Sequence, residues 1–118
     1  MVTMRVELTA TDTSGLTRKI VLDELPAMVG REGNAEVSVD DSFVGTYQCI
    51  IADEGDTLKV LDLGSRTGTF VNGRRVQRVA TLMSGDRLTV GKTHFVVQYD
   101  RVATPVVSGG QRGGGGSQ

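Results

Sequence analysis

The chain has 118 residues, which is enough for one domain of ordinary size. Its composition, with 38% hydrophobic and 23% charged residues, is typical of globular and not of disordered proteins. Its formal net charge is −1, so it lacks the overall positive charge of many nucleic-acid-binding domains. One cysteine, Cys49, and one histidine, His94, exclude an intramolecular disulfide and any metal site built from several cysteines or histidines. We find neither an apolar run long enough to cross a bilayer nor a signal-peptide pattern, and we expect an intracellular protein without cofactor or membrane partner.

Apolar and polar residues alternate with a period of two along most of the chain, which predicts short strands. In chain order, the apolar positions of these runs are Met4, Val6 and Leu8, then Leu58 and Val60, then Leu88 and Val90, then Phe95, Val97 and Tyr99. Turn-forming pairs separate the runs, and the strongest is Asn72-Gly73, which predicts a type I′ hairpin turn after residues 69–71. Many short strands with frequent turns predict an all-β sandwich or barrel.

One window has a different period. Val76, Val79, Ala80 and Met83 are spaced as on one face of a helix. The window is short and lies between two turn signals, so we interpret it as an irregular strand or extended arm, with a helical turn as the alternative.

The last part of the chain is rich in glycine, and residues 108–118 contain no apolar residue. We therefore predict a folded domain over residues 1–103 and a flexible tail or linker over residues 104–118.

Catalytic and nucleic-acid-binding interpretations find little support. His94 lies on the polar side of a predicted strand, Cys49 lies in an apolar run, and Asp40-Asp41 resembles an ordinary turn. Three arginines, Arg74, Arg75 and Arg78, follow the Asn-Gly turn without interleaved aromatic residues, which favours a solvated surface over a nucleic-acid site. We expect no enzyme and no nucleic-acid partner.

Two glycine-rich loops each carry an arginine, Arg31 and Arg66, that could contact an anion. The stretch 64–69 lacks the Gly-Lys-Ser/Thr ending of a nucleotide-binding loop. From spacing alone, two solvated surface arginines are the favoured interpretation.

These loops resemble those of the forkhead-associated (FHA) domain, and the motif Gly-Ser followed by Gly-Thr-Phe-Val-Asn-Gly at residues 64–73 is the most specific part. The resemblance extends in order and spacing over roughly residues 5–100, through the segments 28–31, 37–41, 61–73, 82–91 and 95–97. It implies a two-sheet antiparallel sandwich of about 10–11 short strands whose loops bind phosphothreonine on a partner protein. It further implies loop-supporting roles for Gly30, Gln48, Gly68, Asn72 and Gly73.

Most of the residues that read phosphothreonine in this family are replaced. The resemblance aligns Gly45 with the serine that bonds the phosphate, Thr46 with the following arginine, Gln48 with a loop-supporting histidine, and Thr67 with the asparagine that holds the peptide backbone. Arg31 and Ser65 match the family, and Arg66 occupies a variable position that often faces the ligand. Two or three lost contacts would cost on the order of 3–5 kcal/mol, or two to four decades of affinity. Acidic residues around the loops would oppose a phosphate further.

Two hypotheses follow. The first is a signalling module of FHA fold that binds a protein partner, or its own copy, with little or no dependence on phosphate. The second is a phosphothreonine reader with a rearranged site in which Arg31, Ser65, Arg66, Thr46 and Thr67 supply the donors.

Overall fold

The computed structural model describes residues 2–103, with side chains described for residues 4–100. The predicted tail, residues 104–118, lies outside the described residues. Within them the chain forms eleven strands and no helix, and therefore no helix long enough to span a bilayer. The strands are β1 (Val2–Thr11), β2 (Thr17–Leu22), β3 (Ala27–Gly30), β4 (Val37–Ser38), β5 (Cys49–Glu54), β6 (Thr57–Asp62), β7 (Thr69–Val71), β8 (Arg74–Arg75), β9 (Val79–Leu82), β10 (Arg87–Val90) and β11 (Thr93–Ala103).

The strands form two sheets, as the resemblance implies. A six-stranded sheet has the order β2-β1-β11-β10-β7-β8, and a five-stranded sheet has the order β4-β3-β5-β6-β9. One pairing differs from the predicted antiparallel arrangement, because β3 and β4 run parallel, with Val29 opposite Val37. β4 has only two residues and pairs with the last two residues of β3, so the segment 31–36 carries the chain back over a short distance before β4 runs in the same direction as β3.

The predicted alternation places the apolar side chains between the sheets. Val6 and Leu8 of β1 and Leu88 of β10 are fully buried on the six-stranded side. Phe95 is the largest of the fully buried side chains. The five-stranded sheet contributes a buried set of its own, made up of Ala27, Val29, Val37, Cys49, Ile51, Leu58, Val60 and Leu82. The core therefore buries one face of each sheet, and the connecting loops remain accessible to a ligand.

The window with helical spacing is extended. Val79 and Ala80 lie in β9, and the buried Val76, between β8 and β9, donates its backbone N–H to the carbonyl of Thr69 at 2.7 Å. Arg78 adopts a φ of 86°, and its carbonyl accepts the N–H of Asp62 at 2.8 Å. Pairing with neighbouring strands thus overrides the helical period, and the interpretation as an extended arm is confirmed.

The Asn72-Gly73 turn joins β7 to β8. Asn72 has a φ of 51° and Gly73 a φ of 84°, and Val71 pairs with Arg74 across the turn. Positive φ at both central residues defines the predicted type I′ turn.

Candidate functional site

Three loops meet at one end of the sandwich: residues 31–36, residues 39–48 and residues 63–68. The N–H of Arg31 donates to the carbonyl of Gly45 at 3.0 Å, and the N–H of Glu32 to that of Thr46 at 3.3 Å. Gly30 makes this approach possible, because a Cβ there would overlap the carbonyl oxygen of Thr46. The first two loops are therefore joined by their backbones.

Gln48 joins the second loop to the third. Its side chain is fully buried, and its Oε1 accepts the N–H of Gly45 at 2.8 Å. Its Nε2 donates to the carbonyl of Gly68 at 3.0 Å and to Oγ1 of Thr69 at 3.1 Å. Gln48 thus occupies the place that the resemblance implies for a loop-supporting residue, and its amide satisfies polar groups on both sides.

Asp62 anchors the third loop at the end of β6. Its Oδ1 accepts the hydroxyls of Ser65 at 2.6 Å and Thr69 at 2.7 Å, while its Oδ2 accepts the N–H groups of Gly64 and Ser65. Burial raises the pKa of Asp62, and the hydrogen bonds from Ser65, Thr69 and Gly64 outweigh this effect and hold the pKa below its usual value. The carboxylate therefore fixes the loop while it is ionised.

Thr67 adds a direct link across the loops. Its hydroxyl donates to the carbonyl of Phe43 at 2.7 Å. Phe43 is 47% exposed, and the ammonium of Lys92 lies 4.6 Å from the centre of its ring. This distance is within the range of a cation–π contact, so Lys92 holds the ring at the rim of the loops.

Asp41 ties the second loop to the turn between β10 and β11. Its side chain is buried and accepts the N–H groups of Phe43 at 2.8 Å and Lys92 at 2.7 Å, together with the hydroxyl of Thr93 at 2.9 Å. Gly91 packs against this carboxylate so closely that a Cβ would lie 2.8 Å from it. The negative charge of Asp41 therefore points into the structure and not towards a ligand.

The three loops surround an open depression of about 630 Å³. Its lining consists of Arg31, Ser42, Phe43, Val44, Gly45, Thr46, Arg66 and Thr67. Two guanidinium groups thus border the depression, and the described lining residues include no aspartate or glutamate. Arg31 also borders a neighbouring depression lined by Asp40, so one carboxylate lies on its far side.

The remaining candidates lie elsewhere. Ser65 is held by Asp62 and does not line the depression. Gly68 has a φ of 91°, and a Cβ there would lie 3.0 Å from Nε of Arg75. Any residue other than glycine would therefore be strained at this position. The side chain of Asn72 bonds Asp86 and the N–H of Arg87, and it therefore supports the turn before β10 and not the three loops.

The two reactive side chains that the sequence analysis set aside are placed as expected. Cys49 is buried, and desolvation raises the pKa of its thiol to about 12. His94 is exposed on β11, with its Nδ1 2.9 Å from the hydroxyl of Thr89.

Three contributors to the site were not predicted from the sequence: Asp62, Thr69 and the Lys92–Phe43 pair. The order Asp-Leu-Gly-Ser at residues 62–65 carried a usable signal, because an aspartate before a glycine turn commonly accepts N–H groups two and three residues later. Lys92 lies 51 positions along the chain from its hydrogen-bond partner Asp41, and no local pattern could have joined the two residues.

The chain is similar to curated bacterial proteins, and the matched segment is only a part of each of them. The chain is 31% identical over 78 residues to the oxoglutarate dehydrogenase inhibitor of Corynebacterium jeikeium. This match covers 66% of this chain and 54% of that protein. It is 32% identical over 78 residues to the glycogen accumulation regulator GarA of Mycolicibacterium smegmatis. This match covers 66% of this chain and 49% of that protein. The chain therefore spans about half the length of the curated relatives it matches.

Solved structures show the same fold. An FHA domain from Chlamydia trachomatis superposes with a TM-score of 0.72 at 23% identity, covering 80% of this chain and 96% of that one. A domain solved in work on phosphothreonine-dependent FHA interactions gives a TM-score of 0.68 at 28% identity, over 86% of this chain and 99% of that one. The FHA domain of FhaA, solved in complex with an intracellular domain of another protein, gives 0.67 at 30% identity, over 79% of this chain and 99% of that one.

The family model described as the FHA domain matches residues 27–91, which include β3 to β10 and all three loops of the depression. The chain belongs to the forkhead-associated (FHA) domain family.

Proposed function

We propose that this domain is a non-enzymatic protein-interaction module whose partner binding does not require phosphothreonine. The observation that carries the proposal is the use of the loop donors within the protein itself. The hydroxyl of Ser65 donates to the carboxylate of Asp62, and the hydroxyl of Thr67 donates to the backbone carbonyl of Phe43. The N–H of Gly45 donates to Oε1 of Gln48.

The other three side chains that a rearranged site would need are Arg31, Arg66 and Thr46. All three are exposed at the loops. Arg31 makes one long contact, from its Nη1 to the carbonyl of Ser42 at 3.5 Å. A phosphate would therefore meet two guanidinium groups and one hydroxyl, with the hydroxyls of Ser65 and Thr67 already engaged.

The proposal gains support from the backbone at Gly45. Gly45 does not have the positive φ that favours glycine, and a Cβ there would lie 3.3 Å from Oε1 of Gln48 and farther from everything else. A serine therefore fits after a small adjustment of Gln48. The absence of the phosphate-bonding serine is not imposed by the fold.

A restoration experiment tests the proposal. The double variant Gly45→Ser/Thr67→Asn returns the two residues that the family resemblance implies for phosphothreonine binding. We expect the variant to bind a degenerate phosphothreonine peptide pool at least tenfold more tightly than the original chain, which equals about 1.4 kcal/mol. The unphosphorylated pool is the control, and isothermal titration calorimetry is the measurement. Equal, tight and phosphate-dependent binding by both proteins would contradict the proposal.

The lining of the depression favours a second candidate. Two guanidinium groups with no described carboxylate in the lining can hold a phosphate by charge-assisted hydrogen bonds without any hydroxyl. In that case the domain is a phosphothreonine reader centred on Arg31 and Arg66, and Arg31→Ala or Arg66→Ala abolishes binding of the phosphorylated pool. Unchanged affinity in both variants rules this candidate out.

A further inference from the structure

The solvent-facing sides of the two sheets differ in polarity. On the six-stranded sheet, the exposed Val96 lies between Thr9 on β1 and Arg87 on β10. On the five-stranded sheet, strand register aligns apolar residues on four successive strands: Met28 opposite Ile50, Ile50 opposite Leu61, and Leu61 opposite Val79. We call these four residues the outer row.

The outer row does not belong to the core. Met28, Ile50 and Leu61 retain partial exposure and are absent from the partly buried residues that pack against the core, and Val79 is 51% exposed. Four strands at about 4.8 Å spacing give the row a length of about 14 Å. The outward face of an antiparallel sheet is usually polar when water covers it, so four aligned apolar residues there form a candidate contact surface.

Opposite charges lie at the two ends of the outer row. At the Met28 end, the exposed Glu36 places its carboxylate 2.7 Å from the N–H of Met28. At the Val79 end, the exposed Arg78 directly precedes Val79. The ion pairs found in the described part of the chain are Lys19–Glu7 and Lys59–Glu54, so neither Glu36 nor Arg78 has an opposite charge as its partner there.

We propose that a second copy of this chain covers the outer row. A two-fold axis lying in the interface, parallel to the strands and between β5 and β6, places Met28 on Val79 of the second copy and Ile50 on its Leu61. The same operation brings Glu36 towards Arg78 of the second copy, and the reverse pair forms by symmetry. The negative charge at one end of the row therefore faces the positive charge at the other end of the row in the second copy. Two sheets stacked in this way keep their strands nearly aligned, as packed sheets prefer.

Glu36 belongs to the first loop, but neither it nor any residue of the outer row lines the loop depression, so the proposal stands whether or not the loops bind phosphate. The row is short, and we expect a weak dimer with a dissociation constant on the order of 10–500 µM. Sedimentation equilibrium of the full chain at several concentrations measures it.

Matched substitutions locate the interface. Leu61→Glu places a carboxylate in the middle of the outer row, and we expect it to weaken dimerisation at least tenfold. Val96→Glu makes a comparable change on the outward face of the other sheet and leaves dimerisation within twofold. Both side chains point outward, so both variants fold, which circular dichroism checks. Equal dimerisation by the Leu61→Glu variant, or a chain that stays monomeric up to about 1 mM, overturns the proposal.

A charge exchange tests the orientation of the two copies. Arg78→Glu alone places like charges together and weakens the dimer several-fold. Adding Glu36→Arg in the same chain restores the opposite pairing and recovers at least half of the lost affinity on a logarithmic scale. Failure of the second change to recover any affinity overturns the antiparallel arrangement of the row.

Discussion

At the scale of the residue, Gln48 connects two of the three loops through one buried amide. Its replacement by leucine keeps the volume but leaves the N–H of Gly45 and the carbonyl of Gly68 without their partners in a buried setting. We expect Gln48→Leu to lower the free energy of unfolding by roughly 2–4 kcal/mol. Urea denaturation measures the change, and Gln98→Leu at an exposed site of β11 is the control, with an expected effect within about 0.5 kcal/mol. A loss of stability no larger than that of the control would show that the amide does not support the loops.

A second residue, Asp41, makes the stability of the domain depend on pH. Burial raises the pKa of this carboxyl, and the hydrogen bonds from Phe43, Lys92 and Thr93 outweigh burial, so the net pKa lies below its usual value of 3.8. A folded pKa below the unfolded one contributes stability above the unfolded pKa, and that contribution is lost as pH falls through the folded pKa. The free energy of unfolding therefore decreases as the pH falls below about 4.

The variant Asp41→Asn isolates this contribution. At pH 7 we expect it to be less stable than the original chain by roughly 2–3 kcal/mol, because an amide cannot accept all three donors. The difference between the two proteins shrinks towards pH 3, and the remaining slope comes largely from Asp62, whose pKa is lowered as well. Asp40→Asn, at the exposed neighbouring position, is the control. Denaturation curves at pH 7 and pH 3 measure the stability of both proteins. A stability difference that stays constant between the two pH values would contradict this account.

At the scale of the element, the turn between β7 and β8 depends on backbone conformation and not on space. A Cβ at Gly73 would meet nothing within 4 Å, yet its φ is 84°. We expect Gly73→Ala to cost about 1 kcal/mol, because an L-residue is strained in this region. Gly33→Ala is a matched control, since Gly33 also has open space around it but no positive φ, and alanine there is neutral or slightly stabilising. Equal effects of the two variants in thermal denaturation would contradict this account.

The strands and their turns were largely predictable from the sequence because they depend on local patterns. The alternation around Leu88 and Val90 and the Asn72-Gly73 pair each specify an element without knowledge of the rest of the chain. The parallel pairing of β3 and β4 was not specified in this way, and in residues 76–83 the spacing of the apolar residues pointed to a helix, so that only the short length and the flanking turn signals favoured the extended form. Both depend on neighbouring strands, such as the contact of Val76 with Thr69 and of Asp62 with Arg78.

The site was predictable in part. The resemblance implied the supporting position of Gln48 and a set of loop residues, and the structure brings Arg31, Gly45, Thr46, Arg66 and Thr67 of that set to one depression. What the sequence does not reveal is how each donor is used. Ser65 and Thr67 are equivalent hydroxyls in the sequence, and only the folded chain directs one to Asp62 and the other to Phe43.

At the scale of the whole molecule, the FHA sandwich presents two separate surfaces. The loop depression lies at one end and contains two arginines, and the outer row lies across the five-stranded sheet. A dimer formed through the outer row leaves the depression of each copy at its own end of the sandwich. Partner binding at the loops and self-association at the sheet can therefore be measured independently, and Leu61→Glu should leave any binding at the loops unchanged.

The central claim is that the loops do not require phosphothreonine, and an NMR titration of the ¹⁵N-labelled chain tests it most directly. A degenerate phosphothreonine peptide pool is added to one sample and the same pool without phosphate to another. We predict that the amide signals of Arg31, Thr46 and Arg66 show no saturable shift that depends on phosphate. Saturable shifts at these residues with the phosphorylated pool alone would contradict the claim and identify the domain as a phosphothreonine reader with a rearranged site.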